Sequence, residues 1–187
     1  MAEHQPLTPE RRRASPAQVR RRRLVALTAL VGAQLQAFCG NWRSVNLKYA
    51  KRKNLTPYDV LTIASMVEKE AQVASERPLI AAVIYNRLHN RMPLGIDATL
   101  RYGLHIAPTQ SILESQLNSD SRYNTRKLPG LPPTPIANPG LASIRAAAHP
   151  AKVDYLYFVR KPDKIHHFFT ASDTAFAQYE CAHGYGC

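Results

Sequence analysis

TPYDVLTIASMVEKE, at residues 56–70, combines a strong helix start, an apolar body and a carboxylate-rich end. The Thr56 hydroxyl can accept a hydrogen bond from a free backbone N–H group, Pro57 suits the first helical position, and Asp59 lies near the positive end of the helix dipole. Residues 60–67 are apolar almost all round, which is typical of a helix enclosed by protein on most sides. The stretch therefore predicts a buried central helix that ends in carboxylates.

Two glutamates at the end of this helix, Glu68 and Glu70, are the first candidates for chemistry. They point roughly 200° apart, so they cannot form an acid pair, and we expect one to face inward and the other outward. Glu70 shares its face with larger apolar side chains, including Met66 and Val67, which favours it as the inward residue. Partial burial would raise its pKa and suit it to general acid work. The alternatives are that both glutamates are solvated, or that Glu70 pairs with Arg77.

Patterns downstream of this helix predict an α+β fold: a mainly helical domain with a small antiparallel β-sheet. Further helices are expected at residues 31–50, in a short segment ending at Leu117, and at residues 138–148. Another helix is expected to begin at a Ser75 cap, and its core face would be formed by Ile80, Val83, Ile84 and Leu88. Aromatic and β-branched residues at 155–159 and 165–170 predict two strands around a turn, and Ser172 is expected to cap a terminal helix. Residues 118–138 are rich in Pro, Gly and Asn, which predicts a long loop.

The charge of the chain predicts an anionic partner. The 187 residues carry a formal net charge of +12 at pH 7, which suits nucleic acid, anionic lipid or an acidic polymer. Residues 1–31 hold seven arginines and two glutamates, so they form a basic leader. This leader fits an amphipathic helix with a basic lead-in, a secretory signal or anchor, or a nucleic-acid arm. No run of about 18 apolar residues appears, so a conventional transmembrane helix is not expected.

Three cysteines, Cys39, Cys181 and Cys187, form no C-x-x-C pair. Their odd number argues against a full disulfide framework. The C-terminal motif Cys181-x-His183-x-x-x-Cys187 lacks a second cluster at ligand spacing, so we expect no metal site.

Polar clusters later in the chain supply candidate ligands for sugar hydroxyls and N-acetyl amides. One is Asp97-Ala98-Thr99, and another is Tyr123-Asn124-Thr125 inside the predicted loop. Turn chemistry explains Asp97 and Asn124 almost as well. His166 and His167 alternate along a strand, so at most one can point into a cleft.

The order of these motifs resembles the catalytic domain of the endolytic murein transglycosylases, the YceG-like family. The matching stretches cover about residues 32–172 and include LTIASMVEKE at 61–70, YNRL at 85–88, DAT at 97–99, YNT at 123–125, PIANPG at 135–140 and YLYFV at 155–159. The resemblance implies cleavage of the β-1,4 bond between N-acetylmuramic acid and N-acetylglucosamine inside glycan strands. It further implies a 1,6-anhydro-muramyl end, a role in limiting new strands, and no cofactor.

By that resemblance, Glu70 is the catalytic residue and acts as both acid and base. The muramyl 6-hydroxyl replaces water as the nucleophile, so no second carboxylate is required. The sugar contacts are expected from Asp97, Thr99, Tyr123, Asn124, Thr125 and His167.

The resemblance also implies a membrane-associated protein whose catalytic domain lies on the extracytoplasmic face. Its partners would be peptidoglycan glycan strands and cell-wall synthesis machinery, with no nucleic acid. We expect a basic leader at 1–31 and a catalytic domain at 32–187 that is N-terminally truncated relative to the family. Two alternatives are a non-catalytic glycan-binding remnant and a nucleic-acid binder that uses the arginine-rich leader.

Overall fold

The computed structural model describes residues 15–185, and the chain divides into two compact units between Arg43 and Ser44. The leader arginines at 11–13 and Cys187 lie outside the described residues. The described elements are the helices α1 (Pro16–Arg43), α2 (Lys48–Arg52), α3 (Pro57–Glu70), α4 (Arg77–His89), α5 (Asp97–Gly103), α6 (Glu114–Leu117), α7 (Leu141–Ala148) and α8 (Asp173–Ala182), and the strands β1 (Tyr157–Arg160) and β2 (His167–Thr170). The predicted α+β class is confirmed.

Helix α1 is continuous over 28 residues, or about 42 Å at 1.5 Å per residue. By length and composition it is long and apolar enough to cross a membrane, whose hydrocarbon core is about 30 Å thick. The sequence did not predict a helix of this length, because no run of about 18 apolar residues is present and α1 runs on through polar residues such as Gln34 and Gln36. The helix predicted at 31–50 is instead split between α1 and α2.

Helix α3 forms the centre of the second unit. Thr56 Oγ1 accepts a hydrogen bond from the Asp59 N–H at 3.2 Å, and Asp59 Oδ2 accepts one from the Thr56 N–H at 2.8 Å. This capping box, with Pro57 behind it, is the predicted helix start. Seven of the fourteen α3 residues are buried, and the helix packs most extensively on α7 and then on α4. The buried central helix is confirmed.

Helix α4 begins differently from the prediction. A single 3-10 turn at Ala74–Glu76 precedes it, and no side chain caps its first turn, so the expected Ser75 cap is wrong. Its core face is buried at Ile80, Val83 and Ile84, while Leu88 is half-buried.

The irregular segment between α6 and α7 is confirmed as a loop. Apart from an isolated bridge between Pro93 and Pro129, residues 118–138 contain no regular element. The short helix predicted to end at Leu117 is present, although it begins only at Glu114. Helix α7 begins at Leu141 rather than at Asn138.

Strands β1 and β2 form an antiparallel hairpin in which Arg160 lies opposite His167 and Phe158 lies opposite Phe169. Both strands begin two residues later than predicted. Opposed residues in an antiparallel pair share a face, so Phe158, Arg160, His167 and Phe169 lie on one face. The other face meets α8, where the Tyr157 and Phe176 rings stack at 5.1 Å. Ser172 caps α8 as predicted, accepting the Ala175 N–H.

Candidate active site

Glu70 is the last residue of α3 and is half-buried. Its pKa is raised to about 7, mainly by burial and then by the neighbouring Asp97 carboxylate. The Arg160 guanidinium and a hydrogen bond from the Ala98 N–H lower the pKa and offset part of that shift. The carboxyl therefore lies among one like charge, one opposite charge and one backbone donor, supplied by α5 and β1.

A carboxyl group with this pKa can serve as acid and base at neutral pH. Its protonated and ionised forms are both well populated near pH 7, which is the condition for a single residue to give up a proton and then take one back. An ordinary glutamate, with a pKa of about 4.5, holds almost no proton at that pH. This property makes Glu70 the centre of the candidate site.

Glu68 does not face outward as expected. It is half-buried, and its Oε2 accepts hydrogen bonds from the Ser143 hydroxyl at 2.5 Å and the Gly140 N–H at 3.1 Å. Arg77, the alternative partner for Glu70, instead donates from Nε to Ser143 Oγ at 3.1 Å. The two glutamates thus face different elements, and Glu68 ties the end of α3 to the start of α7.

Asp97 opens α5 and remains accessible, with 45% of its side chain exposed. Arg126 from the long loop donates from Nε to Asp97 Oδ1 at 2.6 Å. Of the six side chains expected to contact sugar, Asp97 is the one whose charge reaches Glu70. Its role as a sugar ligand stays a prediction.

Thr99 and Thr125 join α5 to the loop. Their hydroxyl oxygens lie 2.9 Å apart, Thr125 Oγ1 accepts the Ile96 N–H at 3.1 Å, and Thr99 Oγ1 donates to Ile96 O at 2.7 Å. Both side chains are buried. In the structure these hydroxyls hold the start of α5, and with it Asp97 and the Ala98 N–H, in place, and the sugar contacts of Thr99 and Thr125 stay predictions.

Asn124 likewise supports the loop. It is fully buried, its Nδ2 donates to Leu117 O and Ser119 O at 2.8 Å each, and its Oδ1 accepts the Arg126 N–H at 3.2 Å. These contacts give Asn124 a loop-anchoring role, and its sugar contact stays a prediction.

Tyr123 lies at the surface of the same region. It is half-buried, its hydroxyl lies 2.8 Å from Thr134 Oγ1, and its ring packs at 5.2 Å against the exposed ring of Tyr102. A Cβ at Gly103 would lie 2.5 Å from the Tyr123 Cβ, so this packing requires glycine there. Tyr123 therefore keeps part of its side chain at the surface, and its sugar contact stays a prediction.

His167 is buried, with 2% of its side chain exposed. Its Nδ1 lies 2.7 Å from Glu76 Oε2, and its backbone N–H donates to Glu76 Oε1 at 2.9 Å. His167 thus forms a buried pair with Glu76, and its sugar contact stays a prediction. His166 faces away and pairs with Asp163 at 2.8 Å, as the predicted strand alternation requires.

Glu76, Arg126 and Arg160 were missed as site residues. Glu76 meets His167 across 91 residues of sequence, and a contact at that separation leaves no periodic signal. Arg160 directly follows the strand predicted at 155–159, so its place in the hairpin opposite the return strand was the available sequence signal.

Possible metal ligands and two open cavities were compared with this site. Within residues 15–185, no group of three or more His, Cys, Asp or Glu side chains could hold a metal ion. Two cavities, of about 610 and 480 Å³, are lined by other residues, with Tyr85 in the first and Arg145 in the second.

Comparisons with known proteins connect this geometry to a family. The YceG-like family matches residues 12–180, so the match extends into the segment that we described as a leader. Endolytic murein transglycosylase of Bacillus subtilis (strain 168) is 46% identical over 113 residues, which are 59% of this chain and 31% of that protein. Endolytic murein transglycosylase of Streptococcus pneumoniae (strain ATCC BAA-255 / R6) is 40% identical over 124 residues, which are 63% of this chain and 22% of that protein.

A solved structure gives the same fold. The crystal structure of a YceG-like protein from Listeria monocytogenes aligns with a TM-score of 0.64 at 36% sequence identity, covering 69% of this chain and 42% of that chain. The chain thus spans about a third or less of the length of the curated relatives that it matches.

Proposed function

Because the chain belongs to the YceG-like family, we propose that it is a murein lytic transglycosylase that uses Glu70 as its acid and base. Its substrate is the β-1,4 bond between N-acetylmuramic acid and N-acetylglucosamine within glycan strands. The observation that carries the proposal is the half-buried Glu70 carboxyl, whose pKa is about 7. That value is suited to a residue that must donate and then recover one proton.

The first step needs the protonated form of Glu70. The carboxyl donates its proton to the glycosidic oxygen, the bond from that oxygen to the muramyl C1 breaks, and positive charge develops on the sugar ring. Burial and the Asp97 charge favour the protonated form, so both raise the fraction of chains ready for this step.

The second step needs the carboxylate form that the first step leaves. The muramyl 6-hydroxyl attacks C1 from within the same sugar, and Glu70 takes its proton, so the 1,6-anhydro ring forms and the acid is regenerated. The nucleophile is already attached to its target, which supplies the advantage of proximity. The Arg160 charge and the Ala98 N–H stabilise the carboxylate form during this step.

Side chains of α5 and of the adjoining loop suit a sugar polymer. Asp97 can accept hydrogen bonds from sugar hydroxyls, and the Tyr102 and Tyr123 rings offer an apolar surface to a pyranose. The net charge of +12 attracts strands that carry peptide carboxylates. On this proposal the chain limits or releases new strands at the outer face of the membrane, with α1 as the anchor.

The decisive experiment combines product analysis with isotope labelling. Glycan strands are incubated with the chain in H₂¹⁸O, transferred to ordinary water, digested there with a muramidase and analysed by mass spectrometry. We expect 1,6-anhydro-muramyl ends without ¹⁸O from the wild type, and none from Glu70→Gln. Glu114→Gln, at an exposed position of α6, is the matched control and retains full activity.

Three results would contradict the proposal. Reducing ends carrying ¹⁸O would make the chain a hydrolase, because water would then be the nucleophile. Strand binding without products would make it a binding domain. Undiminished anhydro products from a folded Glu70→Gln variant would remove Glu70 from the reaction.

A further inference from the structure

We propose that Glu76 and His167 are positioning residues that hold the Arg160 guanidinium beside the Glu70 carboxyl. The proposal rests on the proposed function, because it assigns Glu70 its acid and base roles. The contact lies on the face of the hairpin opposite α8, and it involves the histidine that was expected to contact sugar.

The Glu76 carboxylate makes two polar contacts with one residue of the hairpin, His167. Oε1 accepts the His167 backbone N–H at 2.9 Å, and Oε2 lies 2.7 Å from His167 Nδ1. Glu76 is 6% exposed and His167 is 5% exposed. A buried carboxylate with both oxygens engaged fixes backbone and side chain together, since release would leave a buried charge without partners.

The residue gripped in this way is the cross-strand partner of Arg160. Because opposed residues share a face, the Arg160 side chain leaves the hairpin on the side where His167 meets Glu76. Arg160 is close enough to Glu70 for its positive charge to lower that carboxyl's pKa. Fixing His167 therefore fixes the strand position that carries this charge.

A second clamp holds the opposite end of the hairpin. Arg87, in the last turn of α4, donates from Nε to Leu156 O at 2.6 Å. Glu76 and Arg87 are eleven residues apart, about 16 Å along a helix. Leu156 and Arg160 are four positions apart, about 13 Å along an extended chain. The two clamps thus hold opposite ends of the hairpin at similar spacings, and the Glu76 clamp holds the end that carries Arg160.

The aromatic surroundings of His167 strengthen the clamp. The rings of Phe158 and Phe169 lie 5.4 and 6.1 Å from the imidazole. They leave the ring little room to turn away from Glu76. Two charged groups shift the pKa of Glu70: Asp97 from α5 raises it, and Arg160 from β1 lowers it. Loss of the clamp would therefore weaken the effect of Arg160 and leave that of Asp97.

The test is a titration of Glu70 that needs no substrate. The side-chain carboxyl carbons of glutamate are labelled with ¹³C in the full chain, and the Glu70 signal, assigned by its loss in Glu70→Gln, is followed by NMR from pH 4 to 9. Arg160→Gln is expected to raise the Glu70 midpoint by about half a pH unit, because a stabilising charge is lost. Glu76→Gln is expected to raise it in the same direction.

The double variant makes the test specific. In Glu76→Gln/Arg160→Gln we expect the midpoint of Arg160→Gln alone, because the clamp has no charge left to position. Glu114→Gln is the control and leaves the midpoint unchanged. If Glu76→Gln does not fold, Glu76→Asp replaces it, since the shorter side chain cannot reach both contacts in the same geometry.

Two outcomes would overturn the proposal: an unchanged midpoint in the folded Glu76 variants, or equal shifts from Glu76→Gln with and without Arg160. Neither depends on turnover, so an inactive chain would contradict the proposed function while leaving this inference open to test. Conversely, wild-type cleavage with an unmoved midpoint would contradict only the inference.

Discussion

The Glu70 carboxyl couples the stability of the fold to pH. Its pKa is about 7 in the folded chain against an ordinary value of 4.5. Between those values the folded state holds a proton that the unfolded state releases, so the free energy of unfolding falls as pH rises from about 4.5 to about 7. The ionised Glu70 carboxylate therefore lowers the free energy of unfolding above neutral pH, whereas the protonated form does not lower it at low pH.

Glu70→Gln should therefore stabilise the chain at high pH. The glutamine has the shape of the protonated acid and carries no charge at any pH. We expect its free energy of unfolding to exceed that of the wild type by roughly 3 kcal/mol at pH 8.5, and to match it near pH 4. Urea unfolding at the two pH values measures the difference. A gain that is the same at both would show that the Glu70 charge is not the cause.

Single residues were predictable where a local pattern determines their surroundings. Periodicity favoured Glu70 as the residue facing apolar neighbours, and its burial agrees with that prediction. The same reasoning misjudged Glu68, whose hydrogen-bond partners Gly140 and Ser143 lie at the start of α7, far away in the sequence. Residue type also suggested Thr125 as a sugar ligand, but its long-range partner in α5 cannot be read from composition.

Among the elements, the loop at 118–138 depends on Asn124. The Asn124→Asp substitution replaces two N–H donors by an oxygen that faces the carbonyls of Leu117 and Ser119. Because a charge would also be buried, we expect a loss of about 2–4 kcal/mol in the free energy of unfolding. Cleavage should fall with it, since the loop places Arg126 against Asp97.

Asn118→Asp is the matched control for this prediction. It makes the same chemical change at an exposed position of the same loop and should shift the urea midpoint very little. If Asn124→Asp were as stable and active as this control, the loop-anchoring role of Asn124 would be wrong.

Elements were predictable when their signals are local. The start of α3 follows from Thr56 and Asp59 alone, and the hairpin from two aromatic runs around a turn. The start of α4 was not predictable, because the residue that matters there is Glu76 and its partner lies on β2. Ser75 had the right chemistry for a cap, but the chain enters α4 through a 3-10 turn.

At the scale of the whole molecule, the buried apolar core lies in the second unit. Its residues run from Ala50 to Ala148, and α1 carries no buried residue. The exposed side chains of α1 are instead large and apolar at positions such as Leu24, Leu27 and Leu30. The two units thus differ in where their apolar residues lie. The second unit buries them inside the protein, whereas α1 exposes them after a run of arginines at 20–23.

This difference predicts that the units can be separated. Residues 44–187 should fold alone with the unfolding free energy of the full chain, because that unit contains the buried apolar core. The full chain should float with vesicles containing phosphatidylglycerol and resist extraction at high pH, whereas residues 44–187 should stay in solution. In the full chain, Leu27→Glu/Leu30→Glu should abolish flotation, since each charge costs about 2.5–3.5 kcal/mol at the centre of a membrane helix. Flotation of residues 44–187, or of the double variant, would show that binding lies outside α1.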